Sequence, residues 1–259
     1  MQSKTPDQTG RHGPEILWLA GPPFSPDLLT AAADRAGGRV VPLLDPEGRN
    51  DVQAVAARLL ERLRADHRVI VVAHGLAVRA ARLLAGSSEA VASGLCGVVL
   101  SNGPITRLDP VTAALIGLGP LLRTVLSPRV ILPWLRSSLG LRRAVRNPYV
   151  MDHDTVAAIC GPLFADRGAR RAVADYLCSL NPLPPSPPAQ VPLWLVWGDD
   201  DPLYPLAEAD SIDAIVGGGR VRTIPGGRFG HPEERPWALA DHVSEAVESL
   251  NAALADGAR

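Results

Sequence analysis

Val69-Ile-Val-Val-Ala-His-Gly-Leu-Ala-Val78 passes from a strand to a helix within a few residues. Val69–Val72 is β-branched throughout, as a strand buried on both faces requires. Leu76–Ala85 then reads as a helix. Ala73, Gly75 and Ala77 are small enough for the two elements to meet in a very sharp turn. Similar apolar runs, with amphipathic segments among them, lie on either side. Ile16–Ala20 ends at Gly-Pro-Pro, and Arg39–Leu44, Val98–Ser101, Leu193–Trp197 and Val221–Ile224 complete the set of expected strands.

The helices between them have their own signals. Ser25-Pro26-Asp27 suits a helix start, with Ser as cap and Pro at the first position. In Asp51–Ala65 the residues Val52, Val55, Ala56, Leu59, Leu60 and Leu63 form one apolar stripe. Leu206–Val216 and Pro236–Ala255 supply two more helices. Apolar strands alternating with amphipathic helices imply an α/β fold with a mostly parallel central sheet and helices on both faces. Residues 104–188 break the alternation. They carry helical patterns without a good strand and end in the stiff run Asn181-Pro-Leu-Pro-Pro-Ser-Pro-Pro188. They are expected to form a helical cap, with 1–103 and 189–259 as the core.

Composition narrows the function classes. The 259 residues are 46% hydrophobic and 20% charged, so the chain folds rather than staying disordered. A net charge of −1 gives no basic field for nucleic acid or an anionic membrane. The uncharged run Pro110–Leu122 is too short to span a bilayer, and the polar start Met1–Pro14 is no secretory signal. Cys96, Cys160 and Cys178 have no metal-ligand spacing and read as reduced thiols, which suggests a cytoplasmic protein. One lysine against 25 arginines suggests a high-GC bacterial genome. The expected partner is a small molecule, no cofactor or metal is called for, and oligomeric state is open.

The strand–turn–helix at Gly75 resembles the nucleophile elbow of the α/β-hydrolase superfamily, usually G-x-S-x-G. Trp197-Gly-Asp-Asp-Asp201-Pro-Leu-Tyr-Pro205 resembles the loop that delivers the family's acid. Ile224-Pro-Gly-Gly-Arg-Phe-Gly-His231-Pro-Glu-Glu-Arg-Pro236 resembles the loop that delivers its histidine. The order of the motifs and a cap before the acid loop also match, over Ile16 to the C-terminus. The resemblance implies the α/β-hydrolase fold with a helical cap insertion, and three departures imply a degenerate triad. Gly75 stands where the family has its nucleophilic Ser. After the first strand, Ala20-Gly21-Pro22 puts a proline, which has no N–H, at the position that helps hold the oxyanion. Only the N–H of Leu76 would remain there. The family's histidine position falls on Phe229, two residues before His231.

These departures point away from serine hydrolysis, because losing a catalytic Ser costs around 10⁶-fold in rate. The expected function is a non-hydrolytic, cofactor-independent enzyme acting on a small, largely apolar molecule by a lyase, cyclising or bond-forming step, as in specialised-metabolite biosynthesis. A non-catalytic ligand-binding pseudoenzyme and a hydrolase that activates water through Asp201 and His231 stand beside it. Asp201 and His231 are the expected acid–base pair. Gly21, Pro22, Gly75, Leu76, Ser101 and Phe229 are expected to line the substrate site. Ser101 ends a strand at the site edge, a candidate to replace the missing hydroxyl. Plainer readings are that His74 packs beside the sheet, that Asp201 caps a turn, and that His231 is exposed. Arg136, Arg142, Arg143 and Arg146 fit either an anionic or phenolic ligand or a solvated helix face.

Overall fold

The computed structural model describes residues 13–63, 67–183, 187–207, 209 and 220–256. Six strands, β1 (Glu15–Ala20), β2 (Arg39–Val40), β3 (Val69–His74), β4 (Leu95–Ser101), β5 (Leu193–Gly198) and β6 (Val221–Ile224), form one sheet in the order β2-β1-β3-β4-β5-β6. Every pairing is parallel. Parallel strands need crossovers that cover the sheet faces, which is why β3 and β5 are buried along their whole length.

One face carries α1 (Thr30–Ala36) packed on the long C-terminal helix, and the other carries α2 (Val52–Glu61) packed on α3 (Ala77–Ala85). Asp51 starts α2 by accepting the Ala54 N–H at 2.9 Å. α4 (Ser88–Ala92) leads into β4. The C-terminal helix closes on β4 at Gly97, where a Cβ would stand 2.6 Å from Leu250 Cδ1. Between β4 and β5 the described residues form helices and no strand: α5 (Pro110–Gly117), α6 (Leu122–Val125), α7 (Pro128–Leu135), α8 (His153–Cys160) and α9 (Arg167–Ser179). Asp109, Asp152 and Asp166 cap α5, α8 and α9. After β6 come the short α10 (His231–Glu234) and then α11 (Pro236–Asp256), the C-terminal helix.

Several boundaries differ from the expectation. The strand expected over Arg39–Leu44 pairs only through Arg39 and Val40. It is the sheet edge, and Pro42 has no N–H to extend the ladder. Ser25 does not cap a helix. Its Oγ donates to Asp27 Oδ2 at 2.8 Å, and Pro26–Leu29 makes a 3-10 turn before α1. The expected helix 51–65 runs to Glu61, and its last two positions lie outside the described residues. So do most of the helix expected over 206–216, the centre of the Pro-rich run and the polar start of the chain. The three thiols are free, with Cys160 buried and Cys178 exposed. No described helix is long and apolar enough to cross a membrane.

Candidate functional site

The turn between β3 and α3 lies at the carboxyl ends of the central strands, where open α/β sheets place ligands. Gly75 has φ +65°, a left-handed conformation that costs any residue with a Cβ about 1–2 kcal/mol. Its N–H donates to the carbonyls of Ser101 and Asn102, at 3.2 and 3.0 Å, and so ties the turn to the end of β4. The loop after β1 presses against the same turn. Gly21 donates to His74 O at 3.0 Å, and a Cβ on Gly21 would stand 2.1 Å from Ala77 N. Only glycine permits that approach. Pro22 follows directly and, with Leu76, lines a cleft above the turn.

Phe229 occupies the space over Gly75. A Cβ built on Gly75 would meet Phe229 Cζ at 3.2 Å and Cε2 at 3.4 Å. The ring is buried among Phe24, His74 and Tyr204, with centroid separations of 5.3–5.4 Å. On the far side of it lies a closed polar cluster. His231 Nε2 is 2.9 Å from Ser101 Oγ, and Ser101 Oγ is 3.2 Å from His74 Nδ1. All three side chains are completely buried. Burial holds His74 down at about 3 and His231 well below its ordinary value, so both rings are neutral at pH 7. His74 Nε2 and His231 Nδ1 have no hydrogen-bond partner.

Asp201 and His231, expected as an acid–base pair from their loops, share no hydrogen bond. Asp201 Oδ2 accepts from Asn102 Nδ2 at 2.5 Å, and Oδ1 accepts the Leu203 N–H at 2.9 Å. Burial pushes the Asp201 carboxyl up to about 6, against the lowering effect of those hydrogen bonds. His231 begins α10, and its N–H donates to Arg228 O at 2.8 Å. Two residues of tight turn carry its ring past Phe229, so that Phe229 takes the place over Gly75 and His231 reaches β4. His231 is therefore neither exposed nor facing the cleft. Ser101 and His231 do not line the cleft; Pro22, Leu76 and Phe229 do, while Gly21 and Gly75 shape the turn beneath it.

Sequence reading missed Asn102. Its φ of +23° is the only positive value at a described non-glycine residue, its Nδ2 holds Asp201, and its Oδ1 accepts the Gly198 N–H at 2.8 Å. Asn tolerates this conformation better than most residues. Its neighbour Gly103 is a sequence sign of a turn after β4. Sequence reading also missed Tyr204, whose hydroxyl donates to Asp109 Oδ2 at 2.8 Å.

The cleft is partly open, with a cavity volume of about 70 Å³. Its floor is Pro22, Leu76 and Phe229, and its walls come largely from the helices between β4 and β5. Leu115, Ile131, Leu135 and Leu177 make it mainly apolar, and Asp109 and Arg143 are its charged groups. Tyr176 of α9 anchors that wall to the turn by donating to Leu76 O at 2.8 Å. Among the described residues no group of three or more His, Cys, Asp or Glu side chains is placed to hold a metal ion.

No protein-family profile matches the chain, and no curated protein matches it in sequence. Solved structures do match in shape. An alpha/beta hydrolase fold protein from Burkholderia ambifaria superposes with a TM-score of 0.69 at 19% identity, over 90% of this chain and 91% of its own. Haloalkane dehalogenase DbeA from Bradyrhizobium elkani USDA94 gives 0.68 at 16% identity, over 94% and 92%. The epoxide hydrolase CorEH gives 0.69 at 15% identity, over 93% and 92%. Superposition over 90–94% of this chain at TM-scores of 0.68–0.69 leads to one conclusion: this protein has the α/β-hydrolase fold.

Proposed function

We propose that this protein binds a small, largely apolar molecule in the cleft beneath residues 104–188, which act as a cap, and that it does so without serine-hydrolase chemistry. The observation that carries this reading is the Phe229 ring over Gly75. A hydrolase of this fold needs a nucleophile on the turn and a base beside it. Here the turn has no side chain, its neighbour is a phenyl ring, and Pro22 has no N–H for an oxyanion. The neutral His231 and His74 lie behind that ring, outside the cleft lining. What remains is an apolar space with a few polar groups, the usual composition of a small-molecule site. The neighbours named above include hydrolases, but the fold they share does not carry their chemistry to a different set of residues.

A non-hydrolytic, cofactor-independent enzyme is the second reading, and Tyr204 and Asp109 favour it. Both line the cleft and share a hydrogen bond. Burial and the Asp109 charge hold the Tyr204 proton tightly, so this hydroxyl suits orienting a polarised substrate atom better than removing a proton. Such a site would work by holding its substrate in a reactive geometry.

The test combines a fluorophosphonate probe, a 4-nitrophenyl ester assay and calorimetric titration with 1-octanol, a neutral apolar ligand. The expected result is no adduct by mass spectrometry, ester turnover no faster than in buffer, and saturable octanol binding. A stoichiometric adduct on any serine would overturn the loss of serine chemistry, and absence of saturable octanol binding would overturn the binding reading.

A further inference from the structure

The two charged groups of the cleft are in unequal states. The Asp109 carboxylate is fully engaged. Its Oδ1 accepts the N–H groups of Val111 and Thr112, each at 3.0 Å, and its Oδ2 accepts the Tyr204 hydroxyl at 2.8 Å. That carboxylate serves the start of α5 and the wall of the cleft, and its charge meets the positive end of the helix dipole.

Arg143 has no such partner. It lies in a 3-10 turn, Leu141–Ala144, whose backbone is held to the loop before α10. Ala144 O accepts the Gly230 N–H at 2.6 Å, and Arg228 Nη1 reaches the Arg143 and Val145 carbonyls at 3.5 and 3.3 Å. Arg228 is in turn paired with Asp200 at 2.7 Å. The backbone that carries Arg143 is therefore braced from the core side. Arg143 lines the cleft, its Nε is shielded from solvent, and no acceptor reaches that N–H. Among the described residues no carboxylate lies within ion-pair distance of it, although Arg35, Arg39, Arg123, Arg222 and Arg228 each hold one.

A guanidinium stays charged at any ordinary pH, and a shielded N–H without an acceptor is costly. An occupant that brought a carboxylate would supply the missing acceptor, and the planar fork of Arg matches a carboxylate two bonds at a time. The rest of the lining, with Leu115, Ile131, Leu135 and Leu177, suits a hydrocarbon body.

From this juxtaposition we propose that the natural ligand is an apolar monocarboxylate, its chain or ring filling the cleft and its anionic end paired with Arg143. The inference rests on the cleft being a small-molecule site, and it adds the polarity and position of the ligand's head group.

Calorimetric titration of the full chain with sodium octanoate and with 1-octanol tests it, on the wild type and on Arg143→Met and Arg143→Lys. The two probes share a hydrocarbon body and differ in charge. Wild type is expected to bind octanoate at least tenfold more tightly than octanol. Arg143→Met, which keeps an unbranched apolar stem and removes the charge, is expected to lose that preference. Arg143→Lys is expected to retain part of it. Octanol binding with no preference for octanoate in wild type would overturn the assignment of Arg143 and leave the apolar site standing. So would a preference that survives in Arg143→Met. Failure of both probes to bind wild type would remove the site itself. If Arg143→Met does not fold, the wild-type comparison and Arg143→Lys still decide the matter, because an undiminished preference in Lys shows that the fork is not used.

Discussion

Replacing Gly75 by Ala tests the central geometric claim, that a left-handed turn lies in contact with the Phe229 ring. Two costs add. Holding a residue with a Cβ at φ +65° costs about 1–2 kcal/mol. The new Cβ also meets Phe229 Cζ at 3.2 Å, so the buried ring must shift by a few tenths of an ångström. Overpacking of this kind costs roughly 1–2 kcal/mol. The sum is about 2–4 kcal/mol, and for a chain of this size each kcal/mol lowers Tm by roughly 2–4 °C. Urea and thermal unfolding of Gly75→Ala should therefore show a Tm drop of roughly 4–16 °C. Phe229→Leu separates the two costs, because Leu lacks the Cε2 and Cζ atoms that make the contact. In that background Gly75→Ala should cost only the backbone share, leaving a coupling of about 1–2 kcal/mol between the two sites. Equal cost in both backgrounds would refute the contact, and no cost in either would refute the left-handed turn. Gly75→Ser should add no esterase activity, since the residue over it is Phe229 and Pro22 supplies no oxyanion N–H.

Stability should fall on acidification. His74 and His231 are held neutral in the fold by burial, so unfolding takes up protons once pH drops below their ordinary value of 6.5. Asp201 opposes them: raised to about 6 in the fold against an ordinary 3.8, it is protonated in the native state first and returns one proton between those values. Two protons taken up against one returned leaves a net loss of roughly 2–3 kcal/mol between pH 7 and pH 5. Urea midpoints at the two pH values check this, and a midpoint unchanged or higher at pH 5 contradicts it. Asn102→Ala should destabilise the fold by about 2–4 kcal/mol, because it strands the buried Asp201 oxygen and the Gly198 N–H together. Loss of less than about 0.5 kcal/mol in chemical unfolding would mean that water replaces both bonds.

The central strands were legible because burial on both faces demands uninterrupted apolar residues, and Val69–Val72 meets that demand without reference to anything distant. Edge strand β2 was overdrawn because a strand needs a partner's hydrogen bonds as well as its own composition, and those end at Val41, whose N–H donates to Trp18 O. The helix at Ser25 was misread in the same way, since the Ser25 hydroxyl chose Asp27 over the backbone.

The sequence by itself determined that position 75 carries no side chain and that position 22 carries no N–H, because glycine has no side chain and proline no N–H in any fold. It also determined the parallel α/β layout, through local periodicity. Only the tertiary structure decided between Phe229 and His231. Residues two apart on a tight turn point to different sides of it, and which side faces Gly75 depends on how β6, α10 and the end of β4 come together. The same holds for Asp201, whose partner is Asn102, 99 residues away rather than on the neighbouring loop. Arg143 stood in a run of arginines with nothing to separate it from solvated neighbours. Its shielded N–H is a property of the folded chain and not of the run.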